Sequence, residues 1–451
     1  MMEAALVVFY TLLLGYLLQR LSLVKNSGLP RKLVWLLVTM WVLGALAFGA
    51  VHWYIYGGSD TWDYFKYSKM VQESFYINPL YFLELVFGPN ARRPPPHLCE
   101  IIEPIEYWSD VRTYMMLRVH ALLHFTSFGY YGVHAVWSAM FSFVGLTGVY
   151  RVFRAYSSLP SLYVLLLVYG LPSVWFWTSG LHKDSLTMFA MGVLLHSIHC
   201  LLQQFLRAQN LDINSSATIC SPKSFPLVCS IVLSGVFLLL LRPYSIGLLA
   251  LAVAGWIWNS VVKKGALWQV LGRFALVYVF FFVAASAIAY IHPSFSLYAR
   301  LVRVQFIYVT YIIGQTDLNM NTLQPSFLNF MYNTPQSLFN VLVSPFFKQN
   351  SVSAFVGVVV AAENLFLIGL PVGAMLYGIW QQKRPTLSPF LLFCLFFSLS
   401  YFILIGLIAD NVGAIVRYRS VVLPFWMIFW LEMALSSRKK AAKIGQGDDK
   451  R

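Results

Sequence analysis

The sequence predicts an all-α, polytopic membrane protein with about eleven transmembrane helices. Three observations carry that expectation. Apolar runs long enough to cross a bilayer, roughly 17–25 residues, recur from one end of the chain to the other. The chain is 59% hydrophobic and 11% charged, with a mean hydropathy of +0.68, where a soluble domain carries about a quarter charged residues. Lysine and arginine gather in the short connections between runs, and alternate connections carry them. A lipid-exposed backbone must satisfy its own hydrogen bonds, so the runs are read as helices.

Taken in order, the apolar spans lie near 4–21, 33–55, 131–150, 158–178, 185–206, 225–241, 243–260, 268–291, 353–380, 388–409 and 420–436. The first lacks a basic leader region and a small-residue cleavage site, so it is expected to be a retained helix. The connections are oriented by the positive-inside rule. "LVKNSGLPRKL" carries Lys25, Arg31 and Lys32, "YRVFRAY" carries Arg151 and Arg154, and "VVKKGALWQVLGR" carries Lys263, Lys264 and Arg273. "QQKRP" adds Lys383 and Arg384, the tail "SSRKKAAK" is strongly basic, and the long loop after 206 carries Arg207 and Lys223. One crossing per span puts all of these in the cytoplasm, the N-terminus outside and the C-terminus inside. The segment "TYMMLRVHALLHFTSF" (113–128), with Arg118, His120 and His124, suits a helix lying in the interface. Counting it as a crossing would invert every later loop.

The expected organisation is a single transmembrane domain over 1–436, with outer loops near 56–112 and 292–352 that hold short surface helices, and a basic cytoplasmic tail over 437–451. The net charge of +15 then belongs to cytoplasmic loops facing anionic lipid head groups, and nucleic acid is excluded as a partner. The five cysteines show neither a disulfide framework nor zinc-type spacing.

With that orientation the remaining polar clusters share the outer face. "YGGSDTWDYFKYSKM" (56–70) places Asp60 and Asp63 at i, i+3, on one helical face. A carboxylate shielded by Trp62, Tyr64 and Tyr67 can serve as a general base or hold a divalent cation such as Mg²⁺ or Mn²⁺. The competing reading is a solvated loop with Asp60 as an N-cap. In "WTSGLHKDSL", Gly180 allows a tight turn, Ser179 can cap the next helix, and His182, Lys183 and Asp184 enter its first turn, where anions are favoured. An interfacial turn with a snorkelling lysine would look the same. In "LLLLRPYS", Arg242 stands between apolar runs ahead of Pro243 and Tyr244, a costly position unless it pairs or binds an anion. "VRYRSVVLPF" supplies Arg417 and Arg419 as a further cation pair or as anchors. Glu363 and Asn364 interrupt the ninth span, as a functional acid or as a helix-to-helix hydrogen bond. His196 and His199 are read as packing, not as a metal pair.

This ensemble resembles the GT-C superfamily of integral-membrane glycosyltransferases, in which an acidic residue lies in the first large outer loop. "GGSDTWDYF" occupies that place, and "PSVWFWTSGLHKDSL" and "LRPYS" look similar to motifs of bacterial members and relatives that build surface polysaccharides. "RYR…LP" is similar to an Arg-Tyr element of those families and of O-antigen-type polymerases. One helix precedes the acidic loop here, where many members begin directly with the helix that feeds it. The resemblance implies sugar transfer from a polyprenyl-phosphate donor to a glycan or lipid acceptor at the outer face of a bacterial inner (plasma) membrane. It implies Asp60, secondarily Asp63, as base or metal ligand. It implies His182, Lys183, Arg242, Tyr244, Arg417 and Arg419 as donor contacts. The alternatives are a polysaccharide polymerase working on lipid-pyrophosphate repeats and a lipid or solute transporter.

Overall fold

The computed structural model describes residues 1–90, 94–209, 224–262, 265–311, 318, 320–347, 354–380 and 387–445. The regular elements among them are all helices, with no strand among the described residues. Eight helices are long and apolar enough to cross a bilayer: Arg31–Tyr54, Tyr131–Tyr156, Lys183–Ala208, Ser224–Leu241, Pro243–Val261, Leu267–Ile291, Val358–Gly378 within a longer helix, and Pro389–Ile408. Two further spans are bent pairs, Ser161–Tyr169 with Pro172–Ser179 (50°) and Val412–Ser420 with Leu423–Leu435 (68°). The chain is therefore a multi-pass helical protein with eight to ten candidate crossings among the described residues, against an expected eleven. The missing one is Met2–Leu18, whose 17 residues fall short. Each bend has a proline at the start of its second piece, Pro172 or Pro424, and proline cannot donate to the preceding turn.

The basic residues Lys223, Lys263, Lys264, Lys383 and Arg384, and the side chains of the tail from 436 onward, lie outside the described residues. Cys99, Cys229 and Cys394 are free thiols, whereas Cys200 is disulfide-bonded, which the spacing of cysteines does not announce.

The described residues form two compact units. The first comprises Met1–Ala155 and Val174–Ile246. Within it, the Tyr131–Tyr156 and Lys183–Ala208 helices touch at glycines. A Cβ on Gly145 would stand 2.1 Å from the Met188 carbonyl oxygen, and one on Gly192 1.9 Å from that of Gly145. Small residues at helix crossings are how helices gain contact in lipid, where no hydrophobic drive separates them from their surroundings. The Asp60–Ile77 and Val111–Ser127 helices pack on one another, with His124 Nε2 3.1 Å from the Ser68 hydroxyl. The segment expected to lie in the interface thus buries a polar face, including His120 and His124, against protein.

The second unit comprises Tyr156–Ser173 and Gly247–Arg451. The Pro389–Ile408 helix is its buried centre. Gly406 approaches the Ser337 carbonyl, where a Cβ would stand 2.1 Å away, and Trp256, Phe393, Phe397 and Phe425 pack ring on ring beside it. Glu363 accepts hydrogen bonds from the Ser173 backbone N–H (3.0 Å) and hydroxyl, and Asn364 accepts one from Arg419. Both thus make helix-to-helix hydrogen bonds, the second of the two sequence readings.

Candidate functional site

The first unit gathers most of the expected site residues. Its acidic helix begins after two left-handed glycines, Gly57 (φ 68°) and Gly58 (φ 103°), a backbone that few other residues adopt. The N-cap is Ser59, whose side chain caps nothing, and Asp60 is the first helical residue. The cap reading of Asp60 is thereby replaced. One side of the helix is pinned: Thr61 shares a 2.7 Å hydrogen bond with the Tyr131 hydroxyl, and Trp62 stacks on the Tyr131 ring while donating to the Gly49 carbonyl at 3.1 Å. This leaves Asp60 and Asp63 together on the other side, and the Tyr107 hydroxyl reaches both, at 3.4 Å and 3.5 Å.

The two carboxylates differ in setting. Asp60 keeps 48% of its side chain exposed. Burial, then the neighbouring Asp60 and Glu106 charges, push the Asp63 carboxyl above the usual range, outweighing the Tyr107 hydroxyl and Lys66. Burial and the same three acids push the Tyr107 phenol up as well, so it stays a donor.

The second contributor is the turn ahead of Lys183–Ala208. The helix starts at Lys183, with His182 as its N-cap residue, so neither Ser179 nor a histidine inside the first turn plays the expected part. Gly180 is needed for closeness, since a Cβ there would meet the Phe48 ring at 2.3 Å. His182 and Asp184 are buried. Asp184 Oδ2 lies 2.8 Å from His182 Nδ1, and its Oδ1 lies 2.5 Å from Arg242 Nη2. Arg242 also donates to the Tyr244 hydroxyl at 2.9 Å. His182 Nε2 is buried with no hydrogen-bond partner and points at Asp60, with Oδ2 3.8 Å away. A line of groups therefore runs Tyr244, Arg242, Asp184, His182, Asp60.

Lys183 is met from the side. It donates to the Thr113 hydroxyl and lies 3.9 Å from Asp110. Burial alone would raise the Asp110 carboxyl, but the Thr113 hydroxyl, Lys183 and Arg112 outweigh it and hold it below the usual range. Lys183 and Arg242, two of the cations expected to meet a donor phosphate, thus already face a carboxylate.

Arg417 and Arg419 belong to the second unit. Arg419 is fully buried, with Nη1 2.9 Å from the Val341 carbonyl and Nη2 on Asn364. It ties three helices together. Arg417 is half-buried, lies over the Tyr418 ring and donates to its hydroxyl at 2.9 Å.

Sequence reasoning missed Asp184, Tyr107, Glu106 and Asp110 as parts of the site. Asp184 was visible as an acid beside His182, and "EPIEYWSD" as an acid-aromatic patch within the first outer loop. Only the fold brings them to Asp60. Among the described residues no three His, Cys, Asp or Glu side chains gather as a metal set. His196 instead lies 3.2 Å from Arg151 Nη1, as a packed pair. Comparison with family models, with curated proteins and with solved structures finds no match to this chain.

Proposed function

We propose that this protein is a membrane glycosyltransferase that takes a sugar from a polyprenyl-phosphate donor, with Asp60 as the general base. The observation that carries the reading is the half-exposed Asp60 carboxylate at the free end of a pinned helix, beside a second carboxylate and a buried histidine. In the reaction the acceptor hydroxyl gives its proton to the base as its oxygen bonds the anomeric carbon. The bond from that carbon to the lipid phosphate breaks, and the phosphate leaves with the electron pair. Lys183 is the reachable cation for that phosphate, since its side chain stays 19% exposed while Arg242 is almost wholly buried on Asp184. The half-buried Tyr107 offers a ring for sugar stacking, whereas Tyr64 and Tyr67 are buried against it.

Asp60 and Asp63 fit a Mg²⁺-type pattern, in which one or two carboxylates and substrate phosphate share the ion. A bound ion would neutralise charge on the donor phosphate. The chain's own part would be to hold the two carboxylates on one face, with Tyr107 between them.

The test is transfer from a panel of polyprenyl-phosphate sugars by purified protein in lipid nanodiscs. Transfer that Asp60→Asn abolishes supports the assignment. Use of pyrophosphate-linked repeats instead would make the protein a polymerase. Folded, inserted protein inert with both donor classes would overturn the reading.

A further inference from the structure

We infer that His182 is a second proton acceptor of this site, held ready by Asp184 and Arg242, and that it shares the acceptor hydroxyl with Asp60. The inference rests on the transferase reading, but its geometric premise does not. Arg242 pairs with Asp184 at 2.5 Å, which keeps that buried carboxylate ionised and able only to accept. Its second oxygen lies 2.8 Å from His182 Nδ1, so the ring proton sits on Nδ1. Nε2 then carries a lone pair. It is buried, has no hydrogen-bond partner, and faces Asp60 Oδ2 across 3.8 Å.

Two acceptors that face each other at that distance are satisfied together only by a donor placed between them. A buried acceptor left alone costs about 1–3 kcal/mol. The half-exposed Asp60 is the side from which a donor can arrive. The gap is too narrow for an oxygen on the line between them, but a sugar hydroxyl arriving from the exposed side can stand within about 2.7–3.0 Å of both and has one proton to give. When its oxygen attacks the anomeric carbon, the proton goes to Asp60, the base, and passes on from there to Nε2. The resulting imidazolium is stabilised by Asp184 through Nδ1–H, while Asp60 is left ionised again beside it. No further reactant is needed, since the leaving phosphate takes the electron pair of the broken bond. His182 is on this account a catalytic residue, and Asp184 and Arg242 are positioning residues.

Packing explains a buried histidine at a helix start less completely. Packing against Phe48 and Tyr64 would hold the ring, but it gives no reason for Nε2 to be aimed at a carboxylate and left without a partner.

The first arm of the test is ¹⁵N NMR of histidine-labelled full-length protein in nanodiscs, with His182→Gln to identify the signal. The expected result is a resting ring protonated on Nδ1 and bare on Nε2, with the pattern changed in Asp184→Asn. A resting proton on Nε2 overturns the inference whether or not any transfer is found, so its failure is distinct from failure of the transferase reading. The second arm is kinetic. His182→Ala should lower kcat by roughly 10²–10⁴-fold with little change in donor KM. Added imidazole should restore part of the rate, and pyrazole, of the same size but a much weaker base, should not. Equal rescue by both would mean that the ring only fills space, and that would also overturn the inference. His182→Asn, which can still donate to Asp184, guards against a folding defect: it should insert normally and stay slow.

Discussion

The two units both bury charge, and they do so in opposite ways. In the first, Asp184 and Arg242 form an ion pair that continues through His182 to a half-exposed carboxylate, and the chain ends on a nitrogen without a hydrogen-bond partner. In the second, Arg419 meets a backbone carbonyl and an amide oxygen, and Glu363 meets a serine backbone and hydroxyl. Those hydrogen-bond partners are neutral and internal, and the two charges attract each other without a direct ion pair among the described residues. The difference teaches that an intramembrane charge is not by itself a sign of chemistry. Glu363 satisfies the sequence criterion for a functional acid better than Asp184 does, yet it serves as a tie between helices.

The largest expected effect breaks the comparison at its functional end. Asp60→Asn should reduce sugar transfer by roughly 10²–10⁴-fold, measured as labelled product per mole of inserted protein. Asp63→Asn should cost less, because burial and the neighbouring acids hold its carboxyl above the usual range. Asn does not fail as a helix opener here, since Ser59 holds the cap position. Full activity in Asp60→Asn would remove the base assignment. Essential Asp63 with dispensable Asp60 would reverse it.

The arginines come next. Arg242→Ala leaves Asp184 as a buried, uncompensated charge and should destabilise by about 3–5 kcal/mol. Arg419→Met leaves neutral hydrogen-bond acceptors and takes a neighbouring positive charge from Glu363, which keeps its bonds to Ser173, so about 1–3 kcal/mol is expected. Thermal melts of both variants in nanodiscs give the ratio. Adding Asp184→Asn to Arg242→Ala should recover part of the loss, because it removes the stranded charge. Equal costs for the two arginines would erase the distinction between the units.

Lys183 tests a surface where function and stability part. Its pairing with Asp110 is long, 3.9 Å, so Lys183→Ala should cost the fold only about 0.2–1 kcal/mol. If it meets donor phosphate, donor KM should rise by the equivalent of roughly 1.5–3 kcal/mol. A change in stability without a change in KM would confine Lys183 to its Asp110 contact.

Much of this was legible in the sequence, and the reasons for the rest are physical. Hydropathy located the eight to ten candidate spans among the described residues, because a bilayer imposes length and apolarity residue by residue, and it also counted Met2–Leu18, which is too short to qualify. It could not announce that Pro172 and Pro424 start the second halves of bent pairs, since a bend depends on what packs around it. Asp60 and Asp63 were readable as a pair from i, i+3 spacing. Asp184 was not, because its value lies in partners that stand 58 residues away at Arg242 and, through His182, at the acidic helix. Arg242 and Arg419 look alike in sequence, as arginines beside apolar runs. Only the partner separates them, and partner identity is a property of the fold.

The smallest effect concerns acid. Eight of the nine histidines, all but His292, belong to the first unit, so its stability carries most of the histidine-linked pH dependence. His120 and His124 make the case. Burial, with the neighbouring His124, pulls His120 down to about 3. Burial pulls His124 down to about 4, with Lys69 in the same direction and the Phe65 carbonyl opposing. His134 stands beside both, its Nδ1 2.9 Å from that of His120. Both rings are thus neutral in the fold at pH values where an unfolded histidine, near 6.5, takes up a proton. The unfolded state then binds more protons, so stability is flat above about pH 7 and falls as pH drops through 6.5 toward 4 and then 3. Between pH 7.5 and 6 the loss is about 0.8 kcal/mol per group. His124→Gln removes one titrating ring while keeping a polar group near Ser68 and the Phe65 carbonyl. Melting temperature against pH should therefore decline less steeply in His124→Gln than in wild type. An identical slope would mean that the His124 ring takes up protons alike in the folded and unfolded protein, and a steeper decline in the variant would mean that protonation ties the two helices together.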